Sequence, residues 1–249
     1  MTHGSLFSGI GGFDLAAQWA GIKNIFQVEK DEFCQKVLQK NFPDTDKYLD
    51  ICEFNGAKYN GTVDIISGGF PCQPFSIAGR MQSTNDERFL WGEMFRVIKE
   101  VKPKWVIAEN VQGLVNISDG LVLESLFTDM ENEGYETQAY IIPAISKNAP
   151  HKRNRIWIVS TLANSSSVRD TRHELQSGKS KKIGQRWPSN ETYSDSHWDR
   201  HWHEVATEFC RVDDGIPQRL DRVKSLGNAI VPQIAYEIFR IIKLINGVL

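Results

Sequence analysis

The chain has 249 residues, of which 41% are hydrophobic and 24% are charged, and this composition excludes a wholly disordered protein. Lys and Arg number 29 and Asp and Glu number 31, which excludes a uniformly basic surface but allows a local cationic face that binds nucleic acid. No apolar run approaches the roughly 18 residues of a membrane-spanning helix, and no secretory signal is visible. We therefore expect a cytoplasmic protein with free thiols and no membrane partner.

Strands and helices alternate along the first 160 residues. The apolar patterns predict strands at residues 4–7, 24–29, 63–67, 105–108, 135–142 and 155–161. Helical spacing predicts helices at residues 13–19, 31–40, 93–102 and 120–133, and an isoleucine stripe predicts another at 230–245. This alternation predicts an α/β fold, a mostly parallel, Rossmann-like sheet with helices on both faces.

A change of composition after Ala163 divides the chain. Only 7 of the 40 residues in 164–203 are hydrophobic, and residues 164–186 carry six Lys or Arg against two acids. Such a stretch cannot build a core of its own. We predict a main domain at residues 1–163, a small inserted region at 164–211, and a C-terminal segment at 212–249 whose helix packs back on the main domain.

A glycine-rich loop joins the first strand to the first helix. It runs through Gly9, Gly11 and Gly12, so the backbone there can come close to a ligand at the helix N-terminus. Glu29 ends the next strand, where an acid accepts hydrogen bonds from ribose hydroxyls. The two features indicate an adenosine-bearing cofactor. Nicotinamide cofactors and S-adenosylmethionine both fit, and the early closure at Gly12 favours a cofactor without a pyrophosphate.

Two candidate catalytic residues follow later strands. Cys72 lies between Pro71 and Pro74 in a loop after a strand, and this rigid setting suits an aimed nucleophile. The apolar neighbours of Cys34 and Cys52 instead suggest buried structural thiols. Glu109 comes directly after the strand 105–108, and a carboxylate at the carboxyl end of a parallel strand points into the ligand crevice.

These motifs, in this order, resemble those of the cytosine-5 DNA methyltransferases of the compact bacterial and phage type. The matching blocks are residues 7–12, Glu29, Asp50-Ile51, residues 71–76, Glu109-Asn110-Val111, Arg153-Asn154-Arg155 and Gly227-Asn228. The resemblance covers about residues 4–162 and 215–245. The Pro-Cys-Gln and Glu-Asn-Val blocks together are its most specific part.

The resemblance implies a role for each matching residue. S-adenosylmethionine would bind at Phe7, Gly9, Ile10, Gly11, Gly12, Glu29, Lys30, Asp50, Ile51, Pro71, Asn228 and Ile230. Cys72 would be the nucleophile and Glu109 would grip ring nitrogen 3 of the target base. Arg153 and Arg155 would lie near that base and help to order residues 76–86.

The same resemblance implies a double-stranded DNA partner. The target cytosine would swing out of the duplex, and residues 164–211 would recognise the sequence. The predicted DNA-binding residues are Ser76, Arg80, Arg88, Arg169, Arg172, Lys179, Lys181, Lys182 and Arg186. The enzyme would act as a monomer in restriction-modification or in protection of phage DNA. A cognate restriction endonuclease would then be a separate protein.

Three alternatives stand beside this interpretation. An RNA cytosine methyltransferase would use identical catalytic residues, and the basic, aromatic-bearing insertion favours DNA over it. A non-catalytic DNA-binding module would not need Cys72, Glu109 and Arg155 together. A zinc site could use His197, His201, His203 and Cys210, but their spacing matches no common zinc pattern, so we predict no metal.

Overall fold

The computed structural model describes residues 1–71, 90–147, 153–163 and 227–247. Several predicted site residues lie outside this part of the chain, namely Cys72, Ser76, Arg80, Arg88, Arg169, Arg172, Lys179, Lys181, Lys182 and Arg186. The four candidate zinc ligands, His197, His201, His203 and Cys210, lie outside it as well. None of the helices in the described ranges has the length and apolar character needed to cross a membrane.

One sheet organises the described part of the chain. Its strands are β1 (Thr2–Leu6), β2 (Lys23–Val28), β3 (Asp46–Tyr48), β4 (Ile65–Gly68), β5 (Trp105–Val111), β6 (Tyr135–Pro143) and β7 (Asn154–Leu162). They lie in the order β3-β2-β1-β4-β5-β7-β6. The neighbours from β3 to β5 pair in parallel, whereas β7 is antiparallel to both β5 and β6. The predicted α/β fold with a mostly parallel sheet is confirmed.

Five α-helices and three short 3-10 segments accompany these strands in the described residues. The α-helices are α1 (Gly12–Trp19), α2 (Glu32–Asn41), α3 (Trp91–Val101), α4 (Leu121–Asn132) and α5 (Pro232–Ile245). Each predicted helix forms, with ends that differ by at most two residues. Local chemistry explains two of the boundaries. The Asp31 carboxylate accepts hydrogen bonds from Phe33 N and Cys34 N and so caps α2, and Gly21 follows α1 in the left-handed conformation.

Alternate residues of β5 point into two hydrophobic clusters. Val106 and Ala108 belong to a cluster that includes side chains of α3 and α4. Trp105 and Ile107 belong to a second cluster, which includes side chains of α1 and α5. The alternation follows from the two-residue period of a strand, and it shows that β5 is buried on both faces. Because α5 shares a cluster with α1, the C-terminal helix packs against the N-terminal part of the chain, as expected from its apolar stripe.

Three details differ from the sequence-based expectations. β5 continues to Val111, three residues beyond its predicted end, because residues 109–111 pair with β7 after the parallel neighbour β4 has ended opposite Ala108. The three-residue strand β3 was not predicted, since so short a segment shows no alternation. Cys52 is exposed whereas Cys34 is buried, so the prediction of a buried Cys52 is wrong. The segment around Cys52 forms a turn at the surface instead of an element of the core.

The strand order also determines where a ligand can bind. β1 lies between β2 and β4, and the chain leaves β1 toward β2 before it crosses back to β4. Open α/β sheets bind ligands at such a reversal, outside the carboxyl ends of the strands. The loops that follow β1, β2, β4 and β5 all begin at this edge of the sheet.

Candidate active site

A cavity of about 1000 Å³ opens at this edge. Most of the predicted site residues in the described part of the chain line it: Phe7, Gly9, Ile10, Gly12, Glu29, Lys30, Asp50, Ile51, Pro71, Glu109, Arg155, Asn228 and Ile230. The volume is at the upper end for a single small-molecule site, so there is room for a cofactor and a second group. The predicted cofactor residues and the predicted base-binding residues therefore share one cavity.

Glu29 organises one end of this cavity. Its Oε2 accepts a hydrogen bond from Gly9 N at 2.7 Å, and its Oε1 accepts one from Asp31 N at 2.8 Å. Each carboxylate oxygen can accept a second hydrogen bond, so both oxygens can still bind a hydroxyl group. Gly9 has φ 54°, and a Cβ placed on it would meet no atom within 4 Å. The backbone at Gly9 is thus open to a ligand that approaches Glu29.

Asp50 faces the same end from the loop after β3. It forms an ion pair with Lys30 at 3.0 Å and accepts a hydrogen bond from Cys52 N at 2.9 Å. The Cys52 N–H and then Lys30 lower the pKa of the Asp50 carboxyl below its usual range. This carboxylate is therefore ionised, and it stands beside the apolar side chain of Ile51 in the cavity wall.

Arg96 of α3 holds the loop that carries Ile51, and no motif in the sequence singles it out. Its Nη2 donates to Ile51 O at 2.6 Å and its Nη1 donates to Phe54 O at 3.0 Å. Glu93 and Glu100 bind the same guanidinium at 2.8 and 2.7 Å. The only sequence signal was the i, i+3 and i, i+4 spacing of these acids around Arg96, which any exposed helix could show.

Gly11 differs in its surroundings from the other predicted cofactor residues. Among the predicted cofactor residues that the structure describes, it alone is missing from the cavity wall. It precedes α1 with φ 86°, and a Cβ there would lie 2.4 Å from Cε2 of Phe42. A side chain at Gly11 would collide with the chain that follows α2. Gly11 therefore shapes the turn into α1, and its predicted contact with the cofactor stays a prediction.

Glu109 and Arg155 form the other end of the cavity. They project from the paired strands β5 and β7, and Arg155 Nε lies 3.0 Å from Glu109 Oε1. Only 7% of Glu109 is exposed. Burial raises the pKa of the Glu109 carboxyl above its ordinary value, while the charges of Arg155 and Arg153 oppose this effect. A carboxyl with a raised pKa takes up a proton more readily and can act as a general acid.

Asn110 connects β5 to the loop after β4, and sequence reasoning assigned it no role. Its Nδ2 donates to Phe70 O at 3.0 Å, and its Oδ1 accepts from Val111 N at 2.8 Å. Phe70 and Pro71 immediately precede Cys72 in the chain. The amide of Asn110 therefore fixes the start of the segment that carries the predicted nucleophile. In the sequence, a role for Asn110 is indicated by its position beside Glu109 in the Glu-Asn-Val block.

Arg153 does not line the cavity, in contrast to Arg155. Its Nη1 donates to Gly227 O at 2.6 Å and its Nη2 donates to Ala229 O at 2.8 Å. The guanidinium thus contacts the backbone on both sides of Asn228, and its charge also acts on the Glu109 carboxyl. The backbone turns at Arg153, with φ 27°, and its predicted place near the target base stays a prediction.

Residues 1–211 match the protein-family model of the C-5 cytosine-specific DNA methylases, and the chain belongs to this family. S-adenosylmethionine is the methyl donor of the family.

Two curated bacterial proteins show the same relationship. The chain is 36% identical over 188 residues to the type II methyltransferase M.Eco47II of Escherichia coli, a match that covers 74% of this chain and 42% of the relative. It is 35% identical over 155 residues to the type II methyltransferase M.HhaI of Haemophilus parahaemolyticus, over 62% of this chain and 47% of the relative. In both cases, the matched part spans less than half of the relative.

A solved structure supports the fold assignment. The chain resembles a DNA modification methyltransferase encoded within a prophage of Escherichia coli, with a TM-score of 0.57 and 27% identity. The similarity covers 65% of this chain and 47% of the prophage protein.

Proposed function

We propose that this protein is a DNA cytosine-5 methyltransferase that methylates carbon 5 of a cytosine flipped out of duplex DNA. The observation that carries the proposal is the shared cavity, which has the Glu29 carboxylate at one end and the buried Glu109–Arg155 pair at the other. A methyl donor and an acceptor base must meet within bonding distance, and a single cavity of this size can hold both.

The cofactor end of the cavity fits S-adenosylmethionine. Glu29 has oxygens that can accept hydrogen bonds from ribose hydroxyls, and Phe7 and Ile51 supply apolar surface for an adenine ring. Asn228 and Ile230 form a further part of the wall. When bound, S-adenosylmethionine supplies an electrophilic methyl group on a sulfonium. The chain's own residues must then make the acceptor carbon nucleophilic.

Cys72 and Glu109 would activate the base together. Addition of the Cys72 thiolate to carbon 6 breaks the aromaticity of the ring and makes carbon 5 electron-rich. A proton from Glu109 at ring nitrogen 3 neutralises the charge that builds on the ring, and general acid assistance of this kind gives roughly 10²–10⁴-fold. After methylation, carbon 5 loses its proton, and the electron pair of that C–H bond expels Cys72 as thiolate.

We assign the choice of DNA site to residues 164–211, the region that carries Arg169, Arg172, Lys179, Lys181, Lys182 and Arg186. Residues 1–163 and 212–249 then form the catalytic part. The names of the type II relatives support a role in restriction-modification, with a separate endonuclease as the functional partner. Ser76, Arg80 and Arg88 would contact DNA around the vacated base position.

Bisulfite sequencing of DNA from cells that express the protein tests this proposal. We expect 5-methylcytosine within one defined sequence context, and none in cells that express Cys72→Ser. A parallel reaction on purified transfer RNA tests the alternative substrate. Unmethylated DNA together with methylated RNA would overturn the DNA assignment, and methylation of neither by a protein that binds S-adenosylmethionine would overturn the proposed activity.

A further inference from the structure

Arg153 hydrogen-bonds to the backbone of the segment that forms one wall of the cofactor site. Its two terminal nitrogens donate to Gly227 O at 2.6 Å and to Ala229 O at 2.8 Å, across more than 70 positions of sequence. Asn228 lies between these two carbonyl groups, and Asn228, Ala229 and Ile230 all line the cavity. A planar guanidinium suits such a two-point grip, because its donors are held in a fixed fork.

The backbone conformation of Arg153 directs its side chain to this wall. Residues two apart in a regular strand point to the same face, so Arg153 and Arg155 would otherwise lie side by side. Arg153 has φ 27°, which interrupts the extended conformation just before β7 begins. A positive φ is uncommon for a residue other than glycine and persists only where surrounding contacts maintain it. The hydrogen bonds from Arg153 to Gly227 O and Ala229 O maintain this conformation.

The start of β7 therefore carries two arginines with separate tasks. Arg155 pairs with Glu109 at the base-binding end, and Arg153 holds the wall beside the cofactor end. The wall has a second contact with the rest of the protein at Gly12. The two segments of the chain pack so closely there that a Cβ on Gly12 would lie 2.7 Å from Cγ1 of Ile230. The apolar contact fixes one end of the 227–230 segment, and Arg153 fixes the other.

We propose that Arg153 is a positioning residue of the cofactor site, which keeps Asn228 and Ile230 in place for S-adenosylmethionine and does not touch the target base. This inference rests on the proposed function, but its test needs no methyl transfer. It makes the cofactor affinity of the DNA-free protein depend on Arg153. We also expect the rate of methyl transfer at saturating cofactor to depend on Arg155 and much less on Arg153.

The test is a calorimetric titration of S-adenosylmethionine into the full-length, DNA-free protein. Arg153→Lys cannot reproduce the two-point grip, so we expect its Kd to rise about tenfold or more, the scale of one lost charge-assisted hydrogen bond. Arg155→Lys should leave the Kd within about twofold of wild type. Single-turnover rates at saturating cofactor should reverse this order, with Arg155→Lys the slower variant.

Lys243→Met is the matched control. Lys243 Nζ donates to Ala20 O at 2.8 Å, so this lysine attaches α5 to the main domain without contact to residues 227–230. We expect its cofactor affinity to stay at the wild-type value. An equal loss in Lys243→Met and Arg153→Lys would overturn the proposal in favour of a general loosening of the C-terminal segment.

Two further outcomes separate this inference from the proposed function. A wild-type protein that does not bind S-adenosylmethionine contradicts the proposed function. Tight binding by wild type and equally tight binding by Arg153→Lys contradicts only the role of Arg153. Thermal unfolding of each variant shows whether it is folded. Arg153→Lys keeps the positive charge of the side chain and so perturbs the fold less than a larger change at this position would.

Discussion

Protonation of the buried His3 should weaken the fold as the pH falls. His3 is fully buried in β1, with Nδ1 2.8 Å from Asn24 Oδ1 and Nε2 2.7 Å from Ser67 Oγ. Asn24 Nδ2 donates to Asp14 O, so Asn24 Oδ1 accepts from the Nδ1–H of a neutral imidazole. Burial lowers the pKa of His3 from 6.5 to about 4.

The sign and size of the effect follow from that difference in pKa. Above pH 6.5 the imidazole is neutral in both states, and stability is unaffected. As the pH falls from 6.5 toward 4, the unfolded chain takes up a proton that the folded protein does not. At about 1.4 kcal/mol for each pKa unit, the free energy of unfolding should drop by about 3 kcal/mol by pH 4.

Asp14 opposes this trend in the wild-type protein. It is also fully buried, and burial raises its pKa from 3.8 to about 6. The folded protein binds this proton first, so falling pH between 6 and 3.8 raises the free energy of unfolding, by about 3 kcal/mol. The two effects nearly cancel, and the wild-type pH profile alone would conceal both of them.

The comparison of wild type with His3→Gln isolates the histidine. Glutamine can still hydrogen-bond to Asn24 and Ser67 but does not titrate. Urea unfolding at pH 7, 6, 5 and 4 should show the stability of wild type relative to His3→Gln falling by about 3 kcal/mol over this range. The stability of wild type relative to Asp14→Asn should instead rise as the pH falls over this range. A difference between wild type and His3→Gln that stays constant with pH would refute the assignment of a depressed pKa to His3.

Four further changes have defined outcomes. Glu29→Ala should weaken S-adenosylmethionine binding by about 1–3 kcal/mol in calorimetry, because a hydrogen-bonding carboxylate is lost; unchanged affinity removes Glu29 from the site. Glu109→Gln should slow single-turnover methylation roughly 10²–10⁴-fold with cofactor affinity retained, and a wild-type rate would exclude acid catalysis by Glu109. Gly11→Ala should lower the free energy of unfolding by about 1–3 kcal/mol, since its Cβ would collide with Phe42. Gly61→Ala has a similar φ of 72° without any close neighbour, so an equal loss there would assign the effect to backbone strain alone. Exchange of residues 164–211 for the corresponding segment of a relative should change the methylated sequence context in bisulfite sequencing, and an unchanged context contradicts the recognition role of this region.

Much of the fold was predictable because local patterns and tertiary packing agree. The uninterrupted apolar run of β5 indicates a strand buried on both faces, and the helical stripe of α5 marks the face that the structure buries. The end of β5 was not predictable, since residues 109–111 owe their extended pairing to β7, more than 40 positions later in the chain. No local pattern carries information about that partner.

The site was predictable where position along a strand determines it. Glu29 and Glu109 both occur near the carboxyl ends of parallel strands, and both line the cavity. The different contacts of Arg153 and Arg155 were not predictable, because those of Arg153 depend on its positive φ and on carbonyl groups from a distant segment. For the same reason, sequence spacing alone did not reveal that Gly11 packs against Phe42.

Covalent trapping on a fluorinated target tests the central claim most directly. The protein is mixed with duplex DNA that carries its target site with 5-fluorocytosine at the methylated position, in the presence or absence of S-adenosylmethionine. Addition of Cys72 and methylation can proceed, but elimination cannot, because fluorine would have to leave without its bonding electrons. A denaturing gel should show a protein–DNA adduct that requires S-adenosylmethionine, forms with Cys34→Ser and Cys52→Ser, and is absent with Cys72→Ser. An adduct of equal yield with Cys72→Ser, or none with wild type on a confirmed target site, would contradict the proposed mechanism.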